Sequence, residues 1–271
     1  MKLEGKLVLL GAGKMGGAML QGWLEGGLPA SQIIILDPAP PPETMALISS
    51  HRISHNPDIA GIDRVAVVLA AVKPQIMNDV LVTVSDLKHH KPLILSIAAG
   101  KTIASFESHF GADAAVIRSI PNTPAAIGRG ITAIAANANV SESQMALAEN
   151  LLSSIGEVVV VDNEGLIDAA TAVSGSGPAY VFYLAECLAA AGEEVGLPAD
   201  VAVKLARATV AGAGELMRQS GIEAATLREN VTSPKGTTYA ALQVLMAEDG
   251  LRPLIERAVA AAEIRSRELA G

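Results

Sequence analysis

The sequence predicts an α/β protein: a doubly wound, mostly parallel sheet in the N-terminal part, followed by an all-helical C-terminal domain. Three observations point there. Short β-branched runs alternate with helical patterns up to about residue 161. Several of these runs are apolar throughout, as strands covered on both faces are. After about residue 162 the strand signals stop and helical periodicity takes over.

In chain order, strands are expected at 6–10, 33–37, 64–71, 93–97, 115–119, 131–135 and 158–161. A helix over 14–25 places Met15, Met19 and Trp23 on one face. Regular alternation of this kind implies right-handed βαβ units and a parallel sheet. The remainder reads as helices at 164–173, 178–195, 199–219, 224–229, 238–248 and 251–269. Pro178 and Pro198 each sit near a helix start, where a missing N–H costs least. This half is Ala-rich, and its outer faces are too apolar for a small solvated bundle. Ala191, Ala211, Ala213 and the run 258–262 suit close packing between subunits. The expected domains are residues 1–162, binding a dinucleotide, and residues 163–271, mediating dimerisation. Residues 38–42 form a rigid Pro-rich loop.

Composition narrows the function classes. Half of the residues are apolar, yet there are only three Phe, three Tyr and one Trp, so the core is built from Ala, Val, Leu and Ile. A net charge of -8 without any Lys/Arg block disfavours a nucleic-acid partner. The single cysteine, Cys187, allows no intramolecular disulfide and suits a reducing compartment. Its apolar, helical surroundings predict a buried small hydrophobe rather than a nucleophile. No apolar run approaches the roughly 20 residues of a membrane span, and the run 7–10 breaks at Gly11 too early for a signal peptide. A cytoplasmic location is expected. His51, His55, His89, His90 and His109 fall in loops or helix ends, without metal-ligand spacing.

The chemistry-bearing residues cluster in six places. Gly11-Ala-Gly-Lys-Met-Gly16 follows the first strand and opens the first helix. This is the arrangement of a Rossmann-type site, with glycines allowing the tight turn, close approach to pyrophosphate, and helix–strand packing. The anion would sit at the helix N-terminus, so Gly11, Gly13, Lys14, Met15 and Gly16 are candidate cofactor contacts. Asp37 stands 21 residues after Gly16, at the end of the second strand. A carboxylate there accepts ribose hydroxyls and repels a 2′-phosphate, and residues 38–50 contain no basic side chain. Asp37 therefore tilts the site toward NADH, with NADPH the alternative cofactor; its other reading is a simple Asp-Pro turn. Val72-Lys73-Pro74-Gln75 and Arg118-Ser-Ile-Pro121-Asn122-Thr123-Pro124 follow two further strands at the sheet edge where open α/β folds bind ligands. Ser174-Gly-Ser-Gly-Pro-Ala-Tyr180 and Val231-Thr-Ser-Pro-Lys-Gly-Thr-Thr238 each open a helix of the second half.

On these segments the chain resembles the Δ1-pyrroline-5-carboxylate reductase family. The resemblance runs along nearly the whole chain, through residues 11–16, 72–75, 96–100, 118–124, 128–132, 174–180 and 232–238 in that order. It implies a Rossmann-type domain, a helical domain that interlocks in a homodimer, and a ring of five dimers. The implied reaction is hydride transfer from NAD(P)H to the C=N carbon of a cyclic imine, giving L-proline. No acid/base constellation is needed for an iminium, which is already a good electrophile. The resemblance further implies that Thr238 hydrogen-bonds the ring nitrogen while N–H groups of Gly236, Thr237 and Thr238 hold the substrate carboxylate. Ser176 is a candidate for substrate contact or proton relay. Lys73 would lie near the nicotinamide and attract the carboxylate, and Val72, Pro74, Asn122 and Thr123 would line the nicotinamide end. For each of these the competing reading is turn chemistry or helix capping.

One position departs from the family pattern, which commonly reads Ser-Pro-Gly-Gly. Here Lys235 replaces the first of those glycines, and a lysine after Pro234 favours a type I turn over a type II turn. Lys235 is expected to be an exposed, neutral substitution; the alternative is that it adds a cation near the substrate. Two other functions compete. A β-hydroxyacid or other imine reductase has similar architecture but usually carries a helical Lys-x-x-Asn pattern, whereas Lys204 is followed by Arg207. A non-catalytic dinucleotide sensor would need the cofactor half without the Thr238 segment.

Overall fold

In a computed structural model that describes residues 3–270, the chain forms two compact units. Of the described residues, the first comprises 3–175 with 262–270, the second 176–261. The first unit begins β1 (Lys6–Leu10), α1 (Lys14–Glu25), β2 (Ile33–Leu36), α2 (Pro42–Ser50), β3 (Ser54–His55) and β4 (Val65–Ala70). It continues through α3 (Met77–Val84), β5 (Leu93–Ser96), α4 (Ile103–Phe110), β6 (Val116–Pro121) and β7 (Gly130–Ala136). Then come α5 (Glu142–Leu152), β8 (Gly156–Val160), α6 (Leu166–Ala170) and one π-helical turn, Thr171–Gly175.

Among the described residues, eight strands make one sheet in the order β3-β2-β1-β4-β5-β6-β7-β8. All pairs are parallel except β6 with β7. The order reverses beside β1, so the crevice between the C-terminal ends of β1 and β4 is the switch point where such sheets bind ligands. Strand alternation divides the core in two. Leu7, Leu9, Ile33, Ile35, Val67 and Leu69 face one side, packed with Met19 and Trp23 of α1 and Leu151 of α5. Val8, Leu10, Ile34, Val68 and Ala70 face the other, against Met77 and Leu81 of α3 and Phe106 of α4. The Trp23 indole donates to the carbonyl of Leu151 at 2.8 Å, tying α1 to α5.

The second unit holds α7 (Gly177–Glu194), α8 (Ala199–Ser220), α9 (Ala224–Asn230) and α10 (Thr237–Leu245), and most of α11 (Leu251–Ala270). α7 and α8 form a close hairpin, in which a Cβ on Gly192 would stand 3.2 Å from the Cβ of Ala202. Among the described residues of this unit, the buried apolar side chains are Ala189, Ala202 and Ala206. Phe182, Tyr183, Leu184, Leu188, Leu205 and Met246 are all exposed. Three alanines are no core for such a unit, so its apolar faces require a cover from outside the unit.

Two expectations are corrected here. Cys187 is exposed rather than buried, because the apolar pattern of α7 is not covered within its own unit. The Tyr183 phenol, one turn earlier, is held above its usual pKa chiefly by a hydrogen bond with Cys187. Lys235 does not adopt a type I turn: its φ is +61°. Pro234 and Lys235 are the central residues of a turn closed by Gly236 N–H donating to the Ser233 carbonyl at 3.0 Å. Such a third position with positive φ is the type II requirement that glycine meets freely. The left-handed conformation costs a non-glycine residue about 1–2 kcal/mol, more than the roughly 0.5–1 kcal/mol of extra chain entropy a glycine loses. Lys235→Gly is therefore expected to stabilise the chain by about 0.5–1 kcal/mol. A thermal melt at fixed protein concentration checks this, and a lower Tm would contradict it.

The break between the compact units falls between Gly175 and Ser176. Residues 163–175 pack on the sheet, with Ile167 buried among Ile120, Ala133 and Ala135. Asp168 reaches the Arg118 guanidinium at 3.4 Å, and the last turns of α11 join the same unit through Ser266.

Candidate active site

The turn between β1 and α1 shows why three glycines are spaced as they are. Gly11 has φ +87°, and a Cβ on it would stand 2.8 Å from Val72 Cγ1 and 3.0 Å from the Ala71 carbonyl oxygen. A Cβ on Gly16 would collide with the Gly11 carbonyl oxygen. Gly13 differs, since no heavy atom lies within 4 Å of its would-be Cβ. Two glycines thus serve the protein's own packing, while the third leaves open space over the backbone. Gly13 is also the N-cap of α1 and gives no side-chain hydrogen bond, and no acid occupies the first turn. The first N–H groups of a helix lack intrahelical acceptors, so those of Lys14, Met15 and Gly16 are available to an anion. These residues fit a dinucleotide pyrophosphate.

Asp37 does more than end its strand. Its Oδ2 accepts from the Ala12 N–H at 2.6 Å, and its Oδ1 accepts from the Ala39 N–H at 2.8 Å. The carboxylate therefore ties the glycine turn to the β2 loop. Asn56 braces Asp37 in turn, accepting from its N–H and donating to its carbonyl, both at 2.9 Å. His55 Nε2 also contacts that carbonyl at 2.9 Å. An ionised carboxylate offers about four acceptor positions, so these two bonds leave capacity for ribose hydroxyls.

The Val72 side chain lies directly against Gly11, which brings residues 72–74 beside the cofactor turn. Lys73 is exposed at the start of the short turn Pro74–Ile76. Asn122 follows β6 at the same sheet edge and is nearly buried at 9 % exposure. Its Oδ1 accepts from the Ile131 N–H at 3.0 Å, a link that fixes the start of β7. Gly175, the end of the π-helical turn, packs toward Ile120, with 3.6 Å from its would-be Cβ to Cγ1. The 118–124 and 171–175 segments therefore meet at that edge.

The remaining candidates belong to the second unit. Ser176 is half-buried and immediately precedes α7, but its side chain makes no capping bond. Gly236 is the N-cap of α10, again without a side-chain bond. Thr237 is exposed and Thr238 half-buried in the first turn, where N–H groups lack intrahelical acceptors. Sequence reasoning missed one further cluster. Arg118 in β6, 3 % exposed, pairs with Glu164 at 3.1 Å and with Asp168 at 3.4 Å. Ser266 Oγ donates to Asp168 at 2.7 Å. The signal available beforehand was a basic residue in an otherwise apolar strand.

Comparison with known proteins agrees with this layout. Residues 164–269 match the family model for pyrroline-5-carboxylate reductase dimerisation, and residues 6–100 match that for coenzyme F420-dependent NADP oxidoreductases. The pyrroline-5-carboxylate reductase of Pseudomonas aeruginosa is 40% identical over 98% of this chain and 97% of its own. Among solved structures, the Coxiella burnetii pyrroline-5-carboxylate reductase superposes with a TM-score of 0.90 at 31% identity, covering 98% of this chain and 99% of that one. The Plasmodium falciparum pyrroline carboxylate reductase with NADP bound gives 0.81 at 26% identity, covering the whole of both chains. With identity at this level along nearly its entire length, the chain belongs to the pyrroline-5-carboxylate reductase family.

Proposed function

We infer that this chain reduces Δ1-pyrroline-5-carboxylate to L-proline, using NAD(P)H as the hydride donor. The observation that carries the reading is the open backbone over Gly13 at the head of α1, set at the switch point of the sheet in a member of this family. NAD(P)H, when bound, supplies the hydride to the C=N carbon, and the π electrons of that bond move to the ring nitrogen. The chain's own residues bind and orient. The N–H groups of Lys14, Met15 and Gly16, together with Gly11 and Gly13, hold the pyrophosphate. Asp37 takes the adenosine ribose, and Val72, Lys73, Pro74 and Asn122 border the nicotinamide end. At the start of α10, the N–H groups of Thr237 and Thr238 hold the substrate carboxylate, beside the bare backbone of Gly236, whose own N–H is spent on the Ser233 carbonyl, and the Thr238 hydroxyl donates to the ring nitrogen. Ser176 contacts the substrate and passes a proton from solvent water to that nitrogen, taking one from water as it gives one up, while Lys73 attracts the carboxylate.

In this reading residues 1–162 act as the dinucleotide-binding domain and residues 163–271 as the dimerisation and substrate-binding domain. The family model over 164–269 supports a dimer, and the uncovered apolar side chains of the helical unit are the physical reason for one. Five dimers in a ring and a cytoplasmic location complete the proposal. Among the described residues no helix is long and apolar enough to cross a membrane.

The test is steady-state oxidation of NADH and of NADPH with pyrroline-5-carboxylate as acceptor. Turnover with proline as product is expected with both. A carboxylate facing a 2′-phosphate opposes like charges, so kcat/KM is expected to favour NADH by about tenfold. An advantage for NADPH would overturn the assignment of Asp37, and no imine-dependent oxidation of either would overturn the function.

A further inference from the structure

We propose that Lys235 is a capture cation that draws the carboxylate of the cyclic imine to the start of α10. The proposal rests on the reading in which that helix start holds the substrate. Lys235 occupies the positive-φ corner of the turn closed between Ser233 and Gly236. It stands two residues before Thr237, so at 3.8 Å per step the two Cα atoms lie within about 7.6 Å of each other. A lysine side chain on that corner has the first turn of α10 within its reach. The helix contributes no competing charge there, because its first turn contains no acid and Gly236 has no side-chain cap.

The surroundings make this cation count. Lys235 is the only basic residue between Arg228 and Arg252, in a chain of net charge -8. The cations paired with acids in this unit lie elsewhere, at Arg218–Glu215, Arg228–Glu229 and Arg252–Glu256. Lys235 itself is exposed, and among the described residues its ammonium is in no ion pair. An anion approaching an acidic protein thus meets one unneutralised positive charge at the helix start. A charge so exposed acts on capture of the substrate and its salt dependence, not on hydride transfer. Lys235 is accordingly neither a neutral substitution nor a catalytic residue.

The experiment compares Lys235→Gln and Lys235→Arg with the parent enzyme, measuring kcat and KM for pyrroline-5-carboxylate across about 0.02–0.5 M salt. An exposed ion pair is worth up to about 1 kcal/mol, so Lys235→Gln is expected to raise KM about three- to fivefold at low salt. Its kcat should stay within about twofold, and its KM should lose the parent's rise with salt. Lys235→Arg keeps the charge and should keep the parent's KM. Lys88→Gln, at an exposed lysine of the other unit, controls for net charge and should leave KM unaltered. An unchanged KM in Lys235→Gln overturns the proposal, as does an equal rise in Lys235→Arg, which would mark a backbone effect. Failure of the underlying site is separately visible: Thr238→Val would then retain full activity.

Discussion

Thr238→Val is expected to lower kcat/KM for pyrroline-5-carboxylate by about 10²-fold, close to 3 kcal/mol of transition-state stabilisation. The size follows from what the ring nitrogen undergoes. As the hydride arrives at carbon, the nitrogen gains a lone pair and electron density, so a hydroxyl aimed at it strengthens its bond during the step. A contact made more strongly in the transition state lowers the barrier, whereas one of equal strength in both states only lowers KM. Most of the loss should therefore fall on kcat. Thr238 sits where such a donor can be held firmly, in the first turn of a helix that Gly236 starts without side-chain help. Its hydroxyl is not consumed as a cap, and valine keeps its shape, so the helix should survive the change. Thr238→Ser restores the donor and should recover activity to within about tenfold of the parent, the remainder reflecting a freer rotor. If Thr238→Val keeps kcat within twofold, the donor lies elsewhere and Ser176 becomes the first residue to change.

Much of the sheet was legible because buried parallel strands leave unbroken apolar runs, and 6–10, 93–97 and 131–135 all became strands. Direction was less legible. An apolar run reads the same either way, and β7 runs antiparallel to β6 because residues 122–129 are too few for a crossover of a dozen residues. The two-residue β3 carries no pattern at all. The exposure of Cys187 escaped for another reason: periodicity marks a face to be covered but not which chain covers it. At Lys235 local preference pointed to negative φ, and the turn into α10 took a positive one, an instance of context overriding propensity. In the candidate site, the Gly11–Gly16 spacing announced the cradle, but the two backbone bonds of Asp37 depend on loops brought together only by the fold.

The Arg118 cluster was illegible on the same ground, its members being spread from β6 to the end of α11, and it supports the largest expected loss of stability. Arg118→Met is expected to destabilise the chain by about 3–5 kcal/mol, the usual result of removing one partner from a buried ion pair. The guanidinium faces two carboxylates, with side chains 29 % and 10 % exposed for Glu164 and Asp168. Without it, two like charges remain near each other, and Asp168 has little water to screen it. The carboxylates hold more than the arginine. Glu164 Oε1 accepts from the Ile103 N–H at 2.8 Å at the head of α4, and Asp168 accepts from Ser266 in α11. Loss of Arg118 should therefore loosen both attachments, not just one strand. At about 2–4 °C per kcal/mol for a chain of this size, the Tm should fall by roughly 6–20 °C at fixed concentration. Hydrogen exchange supplies the specific readout, with faster exchange expected in residues 262–270 of Arg118→Met and, more weakly, of Ser266→Ala. Replacing Arg118 and Asp168 together by apolar residues of similar volume should recover part of the loss, because the unpaired charge, rather than the missing bond, dominates it. A Tm within 2 °C of the parent for Arg118→Met would show that water or rearrangement compensates the carboxylates, and that the end of α11 is held by packing alone.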